Sequence, residues 1–189
     1  MSVIHFVMGG IRSGKSAYAE QLVGELAGSR GVTYLATGVA TDSAMAERIR
    51  LHQERRPDQW ETLEVPLNPV GGLQKSRGSA GDRSVLLLDS LDGWVTNLLI
   101  EHEGTAATEL TARTVGAVRR FVTFVREIKS DAVVVSSEVG QSLVATSALG
   151  RQFQDLLGTV NQAVAAEADS VTLVVAGIPV LIKPVSAGT

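Results

Sequence analysis

The chain contains no cysteine, so disulfides, thiolate metal sites and cysteine nucleophiles are excluded from its chemistry. That absence suits a reducing compartment, and a cytoplasmic location is expected. Basic residues show no excess either. The net charge is -3, and Arg and Lys cluster only in the short set Arg48, Arg50, Arg55 and Arg56. A broad surface that releases phosphate counterions is therefore lacking, and nucleic acid is not an expected partner. The opening apolar run is interrupted by glycines before it reaches the length of an export signal. Nor is there a stretch of roughly 20 uninterrupted apolar residues, the minimum for a membrane-spanning helix.

What is present is the composition of an ordinary globular domain, with 44% apolar and 20% charged residues. A chain of 189 residues is long enough for one core, and such a chain buries roughly 70% of the surface its unfolded form exposes. A single domain over residues 1–189 is expected, without internal repeats.

Short β-branched runs alternate with longer helical patterns. Residues 3–8, 32–37, 84–89, 132–136 and 171–176 read as strands, most of them almost continuously apolar. Continuous rather than alternating apolarity is what a sheet covered on both faces demands, and an α/β fold with a mostly parallel central sheet follows. Between the first two runs, Ala19, Leu22, Val23 and Leu26 fall at i, i+3, i+4 and i+7, which gives a helix ending near Gly28. Further helices are expected over 43–55, 94–101, 106–129 and 147–168. Residues 66–83, rich in glycine with Pro66 and Pro69, read as a loop with one short helix at most. The segment 180–182, after Gly177-Ile178-Pro179, is expected to return as an antiparallel edge strand.

Directly between the first strand and the first helix stands Gly9-Gly10-Ile11-Arg12-Ser13-Gly14-Lys15-Ser16, which satisfies the pattern G-x-x-x-x-G-K-S/T. The glycines allow a tight turn whose N–H groups face phosphate oxygens. Lys15 would reach the β- and γ-phosphates, Ser16 would ligate Mg²⁺, and the helix that follows turns its positive end to the anion. The strand before and the amphipathic helix after are the context the motif requires. A three-layer P-loop NTPase fold of the RecA-like kind is expected.

A second Mg²⁺ partner belongs at the end of another buried strand. Asp89, after Val85-Leu86-Leu87-Leu88, and Glu138, after Val133-Val134-Val135-Ser136-Ser137, both qualify. For Asp89 the competing reading is the N-cap of the following helix, and the metal-linked reading is preferred. His52 poses a similar choice. If Asp42 caps the second helix, Met45, Ile49 and His52 share its inward face, and the imidazole is either a satisfied core histidine or a nucleophile toward phosphorus. The residues alone leave both readings open. His5 and His102 have routine structural explanations.

Several segments together narrow the choice. The cradle, Ala36-Thr37-Gly38, Arg48-Ile-Arg-Leu-His52, Trp94-Val-Thr-Asn-Leu-Leu99, Ser137-Glu-Val-Gly140 and Arg151-Gln-Phe-Gln-Asp155 through Asn161-Gln162 run across nearly the whole chain. In that order they resemble the bifunctional adenosylcobinamide kinase / adenosylcobinamide-phosphate guanylyltransferase family of cobalamin biosynthesis. The resemblance implies two reactions. Adenosylcobinamide is phosphorylated by ATP or GTP, and GMP is then moved from GTP onto adenosylcobinamide phosphate through a guanylylated histidine. It implies that His52 accepts GMP, with Lys15 as the other catalytic group. Nucleotide contacts are implied at Gly9, Gly10, Ile11, Arg12, Ser13, Gly14, Lys15, Ser16, Ala36, Thr37, Gly38, Gln53, Glu54, Arg55, Arg56, Glu64 and Asp89. Ser16 and Asp89 would hold Mg²⁺, and the subunits would form a homotrimer.

The chain departs from the family pattern at Ile11, where alanine is usual, and in Asp89-Ser-Leu-Asp-Gly-Trp94, where Asp-Cys-Leu-Thr-Leu-Trp is usual. Residues 66–83 match weakly. Two other readings compete: a P-loop small-molecule kinase in which His52 is structural, and a nucleotide-switched binding protein with little turnover.

Overall fold

The computed structural model describes residues 2–40, 42–54, 56–76 and 84–185. Along these the elements are β1 (Ile4–Gly9), α1 (Lys15–Ala27), β2 (Val32–Ala36), α2 (Ser43–Glu54), β3 (Glu61–Glu64), α3 (Pro69–Ser76), β4 (Val85–Asp89), α4 (Leu91–Glu101), α5 (Ala107–Glu127), β5 (Ala132–Ser137), α6 (Ala148–Glu167), β6 (Ser170–Val175) and β7 (Ile178–Lys183). The strands form a seven-stranded sheet in the order β3-β2-β4-β5-β1-β6-β7. All pairings are parallel except β6 with β7, which is the expected antiparallel edge.

The apolar runs are continuous because successive side chains enter two cores on opposite faces of the sheet. Ile4, Phe6, Leu86, Leu88 and Val134 pack on one face with Trp94, Leu110, Phe121 and Leu157 from α4, α5 and α6. Val7, Val85, Leu87, Val133 and Val135 pack on the other with Ala19 and Val23 of α1. Helix, sheet and helix thus make the three expected layers. Trp94 and Phe121 meet edge to face, with ring centroids 6.1 Å apart, and lock α4 onto α5.

Three boundaries differ from expectation. Strand β3 is not among the expected strands: its sequence Glu-Thr-Leu-Glu carries two carboxylates, and it forms because β2 supplies a pairing edge, Thr33 to Glu61 through Ala36 to Glu64. Helix α4 starts at Leu91, not 94, and Ser90 caps it by accepting a hydrogen bond from the Gly93 N–H at 3.3 Å. Strand β7 runs longer than 180–182. The short helix allowed within 66–83 is α3, and residues 77–83 lie outside the described residues. Among the described residues no helix is long and apolar enough to cross a membrane.

The parallel register brings the carboxyl ends of the central strands to one edge. Gly9 stands opposite Ser137, and Ala36 opposite Asp89. Open α/β sheets bind ligands at this edge.

Candidate functional site: a P-loop cradle and an aspartate–histidine cavity

The cradle is built by backbone geometry. Gly14 has φ +92°, and an added Cβ there would stand 3.2 Å from the Gly177 Cα; at Gly9 an added Cβ would come within 2.7 Å of the Val174 carbonyl oxygen. These two positions therefore require glycine. The loop closes on itself through Ser13 N–H to the Gly10 carbonyl at 3.2 Å. It is held from outside by Gly177 N–H donating to the Ser13 carbonyl at 2.8 Å, so the β6–β7 turn buttresses it. Lys15 is only 7% exposed. Its Nζ donates to the Gly10 carbonyl at 3.2 Å. The Ser13 hydroxyl is buried without a hydrogen-bond partner. A buried ammonium and an unsatisfied hydroxyl in one glycine loop are the donors a phosphate oxygen requires.

Lys15 and Ser16 open onto a cavity of about 250 Å³ whose walls include Tyr34, His52, Arg56 and Asp89. Ala36, Gly38 and Ile49 also line it, and Ile49 and His52 therefore share the inward face expected of α2. The Tyr34 hydroxyl donates to Asp89 Oδ2 at 2.7 Å. Burial, reinforced by the Asp89 carboxylate, pushes the Tyr34 phenol well above its ordinary value, so it remains a donor. Asp89 Oδ2 lies 3.9 Å from His52 Nδ1, too far for a direct hydrogen bond and close enough for electrostatic pairing. The Arg56 guanidinium stacks over the Tyr34 ring, 3.4 Å from its centroid. Its Nε and Nη1 are buried and have no hydrogen-bond partner.

Asp89 is thus no helix cap, since Ser90 fills that role. Glu138 does not line the cavity; its carboxylate accepts from the Gly140 and Gln141 N–H groups at 2.8 and 3.0 Å. Thr37 is fully buried. Its hydroxyl donates to the Ser90 carbonyl at 2.6 Å and accepts from Ser90 N–H at 2.9 Å, so it braces the site from behind. Gly9, Gly10, Ile11, Arg12, Ser13 and Gly14 form the loop itself, with Ile11 exposed. Gln53 and Glu54 are exposed on α2 beyond the cavity wall, and Glu64 ends β3 beside Ala36. Arg55 and the side chains of Arg48 and Met45 lie outside the described residues.

Two wall residues are not among the expected site residues, although Asn97 lies in the segment 94–99 that carries the family resemblance. Tyr34 sits inside an apolar strand run, where only its polar tip hints at a site. Asn97 is hidden within α4; its amide donates to the Thr37 and Pro66 carbonyls at 2.8 and 2.9 Å and ties α4 to the loops after β2 and β3. Asp92, one of the departures from the family pattern, also lines the cavity and accepts from Ser137 N–H and hydroxyl, both at 3.1 Å. At Gly93 an added Cβ would come within 2.9 Å of the Thr37 hydroxyl, so the glycine allows α4 to approach that brace.

The donor set suits a hard divalent cation. Ser16 and Asp89 face one cavity with oxygen ligands, the chemistry Mg²⁺ prefers. Glu20, His52 and Asp89 also bring ligand atoms within 4.8 Å of one another. Because Tyr34 occupies Oδ2 of Asp89, Oδ1 is the oxygen free of that bond.

A glycine cradle at the carboxyl edge of a parallel sheet, with a buried lysine and an aspartate two strands away, defines a P-loop NTPase. A solved ATPase domain has the same fold, with a TM-score of 0.52 at 12% identity over 90% of this chain and 68% of that one. A KaiC-like protein from Pyrococcus horikoshii is similar, with a TM-score of 0.50 at 11% identity over 90% of this chain and 70% of that one. Within the class, residues 5–182 match the model of the cobinamide kinase / cobinamide phosphate guanyltransferase family. The bifunctional adenosylcobalamin biosynthesis protein CobP of Pseudomonas aeruginosa is 37% identical, over 94% of this chain and 95% of that protein. The corresponding proteins named CobU of Escherichia coli and Salmonella typhimurium are 35% and 36% identical, each over 94% of this chain and 98% of the relative. The chain belongs to the cobinamide kinase / cobinamide phosphate guanyltransferase family.

Proposed function

We propose that the protein phosphorylates adenosylcobinamide and then transfers GMP from GTP to adenosylcobinamide phosphate, with His52 as the GMP carrier. The observation that carries this reading is the placement of His52 in the same cavity as Lys15, Ser16 and Asp89. A histidine with only a packing role has no reason to face a phosphate cradle.

In the first half of guanylyl transfer, His52 Nε2 attacks the α-phosphorus of GTP. An N–P bond forms, the bond from the α-phosphorus to the bridging oxygen breaks, and pyrophosphate leaves. Because Nδ1 faces Asp89, the carboxylate favours the tautomer with the proton on Nδ1 and stabilises the cation formed on attack. Lys15, the loop N–H groups and Arg56 balance the charge on the departing pyrophosphate. Ser16 and Asp89 would hold Mg²⁺, which contributes Lewis-acid neutralisation of phosphate charge. In the second half, a phosphate oxygen of the corrinoid attacks the guanylyl phosphorus and the N–P bond breaks, returning neutral His52. The kinase step places the corrinoid hydroxyl against the γ-phosphorus in the same cradle and relies on positioning and charge neutralisation. On the family's pattern, we take the working form to be a cytoplasmic homotrimer.

GTP labelled at the α-phosphate tests this reading. Acid-labile, alkali-stable label should accumulate on the protein and be absent from His52→Ala. Steady phosphorylation of adenosylcobinamide by a protein that never takes up label would replace the reading with that of a kinase alone.

A further inference from the structure

A second cavity, of about 600 Å³, lies between α3, α4 and α5 and, among the described residues, shares no lining residue with the P-loop cavity. The two flank one helix: Thr96, Asn97 and Ile100 of α4 face the P-loop side, whereas Trp94, Leu98 and His102 face the other. We propose that this second cavity is a binding site for a phosphate-type oxyanion.

The donors come chiefly from one face of α5. Arg113, Ala117 and Arg120 recur at i, i+4 and i+7, so both guanidinium groups rise from the same side of the helix, with a small residue between them. Arg120 has no carboxylate partner among the described residues. Arg113 meets Glu109 at 2.5 Å, but both side chains are more than half exposed, and such a pair is held weakly. A guanidinium also carries five N–H donors, of which this contact uses one.

Beside Arg113 stands Thr114, 1% exposed, lining the cavity. Its hydroxyl is buried without a hydrogen-bond partner. A buried hydroxyl with no partner is a cost to the folded state. Across the cavity, the Asn68 carbonyl is engaged by Gly71 N–H at 2.9 Å, which leaves its amide NH₂ as the remaining group. Among the described residues Glu101 is the only carboxylate in the lining. The walls thus carry two guanidinium groups against one carboxylate, and a guanidinium fork matches phosphate oxygens in geometry.

The experiment titrates inorganic pyrophosphate into the full chain while a non-hydrolysable GTP analogue saturates the P-loop, with heat of binding as the readout. One further saturable site per chain, weakened by salt, is expected. The Arg113→Gln/Arg120→Gln pair should weaken it at least tenfold, and Arg113→Lys/Arg120→Lys should retain part of the affinity. Lys15→Ala, without the analogue, should retain this site. The proposal is overturned if no saturable site remains beside the analogue, if the double Gln variant binds as tightly as the parent, or if Lys15→Ala abolishes all pyrophosphate binding.

Discussion

Replacing Tyr34 with phenylalanine isolates the contribution of one hydroxyl to the chemistry. The ring is 2% exposed and packs within the α1-side core, so Tyr34→Phe leaves no cavity and keeps the surface on which Arg56 stacks. What is lost is the 2.7 Å donation to Asp89 Oδ2. Hydrogen bonds to charged groups contribute about 1.5–3 kcal/mol, whereas folding is expected to lose only about 1 kcal/mol because water can reach the vacated oxygen. An Asp89 carboxylate released from Tyr34 can rotate away from His52 and from the metal position. The rate of His52 guanylylation is expected to fall roughly tenfold to a hundredfold, following about 1.4 kcal/mol per decade. Single-turnover transfer of α-labelled GMP onto the protein measures the rate, and equilibrium titration with a GTP analogue measures affinity. Affinity should stay within about threefold, since no phosphate donor has been removed. An unchanged rate would refute the role given to Tyr34, as would a loss of affinity that accounts for the whole effect.

Two further outcomes follow from the geometry. Gly14→Ala places a Cβ at φ +92° and 3.2 Å from the Gly177 Cα. Denaturant titration should show a loss of about 1–2 kcal/mol, and GTP-analogue binding should disappear. A stable variant that still binds would contradict the account of the cradle. Burial lowers the His5 imidazole below its ordinary value, with Asp131 and Asp169 partly opposing it, while Nδ1 pairs with the Ser170 hydroxyl at 2.6 Å. The unfolded chain therefore takes up a proton first as pH falls, so the contribution of neutral His5 is complete above about pH 6.5 and declines below it. In His5→Gln the stability profile should be flatter below that pH; an identical slope would dismiss the linkage.

The parts of the fold that can be read from the sequence are those whose burial leaves a local mark. β1, β2, β4, β5 and β6 are covered on both faces, so each is a compact apolar run. β3 is an edge strand with two carboxylates in four residues, and its conformation comes from pairing with β2 and from the Glu61 contacts with Thr33 and Ser76. No local pattern encodes such dependence. The start of α4 is obscured in the sequence because Asp92 and Gly93 are poor helix formers; the cap at Ser90 and the Asp92–Ser137 contacts override propensity there. In the site, Lys15, Ser16 and Asp89 are legible because each ends a strand or opens a helix at a motif position. His52 is ambiguous from the residues alone, and only the fold shows that it lines the cavity beside Asp89. Tyr34 leaves no trace in a local pattern, and Asn97 is marked only by its place in the segment 94–99, because their importance lies in what they touch across 55 and 60 residues of chain.

The contact between Gly177 and the P-loop sets a limit on how this protein can be engineered. Hairpin tips are ordinarily where chains tolerate insertions, tags and new termini. Here the turn between β6 and β7 closes the back of the phosphate loop through its own backbone N–H. A fusion or circular permutation opened at that turn would act as a lesion in the P-loop, although it is sited at the margin of the sheet.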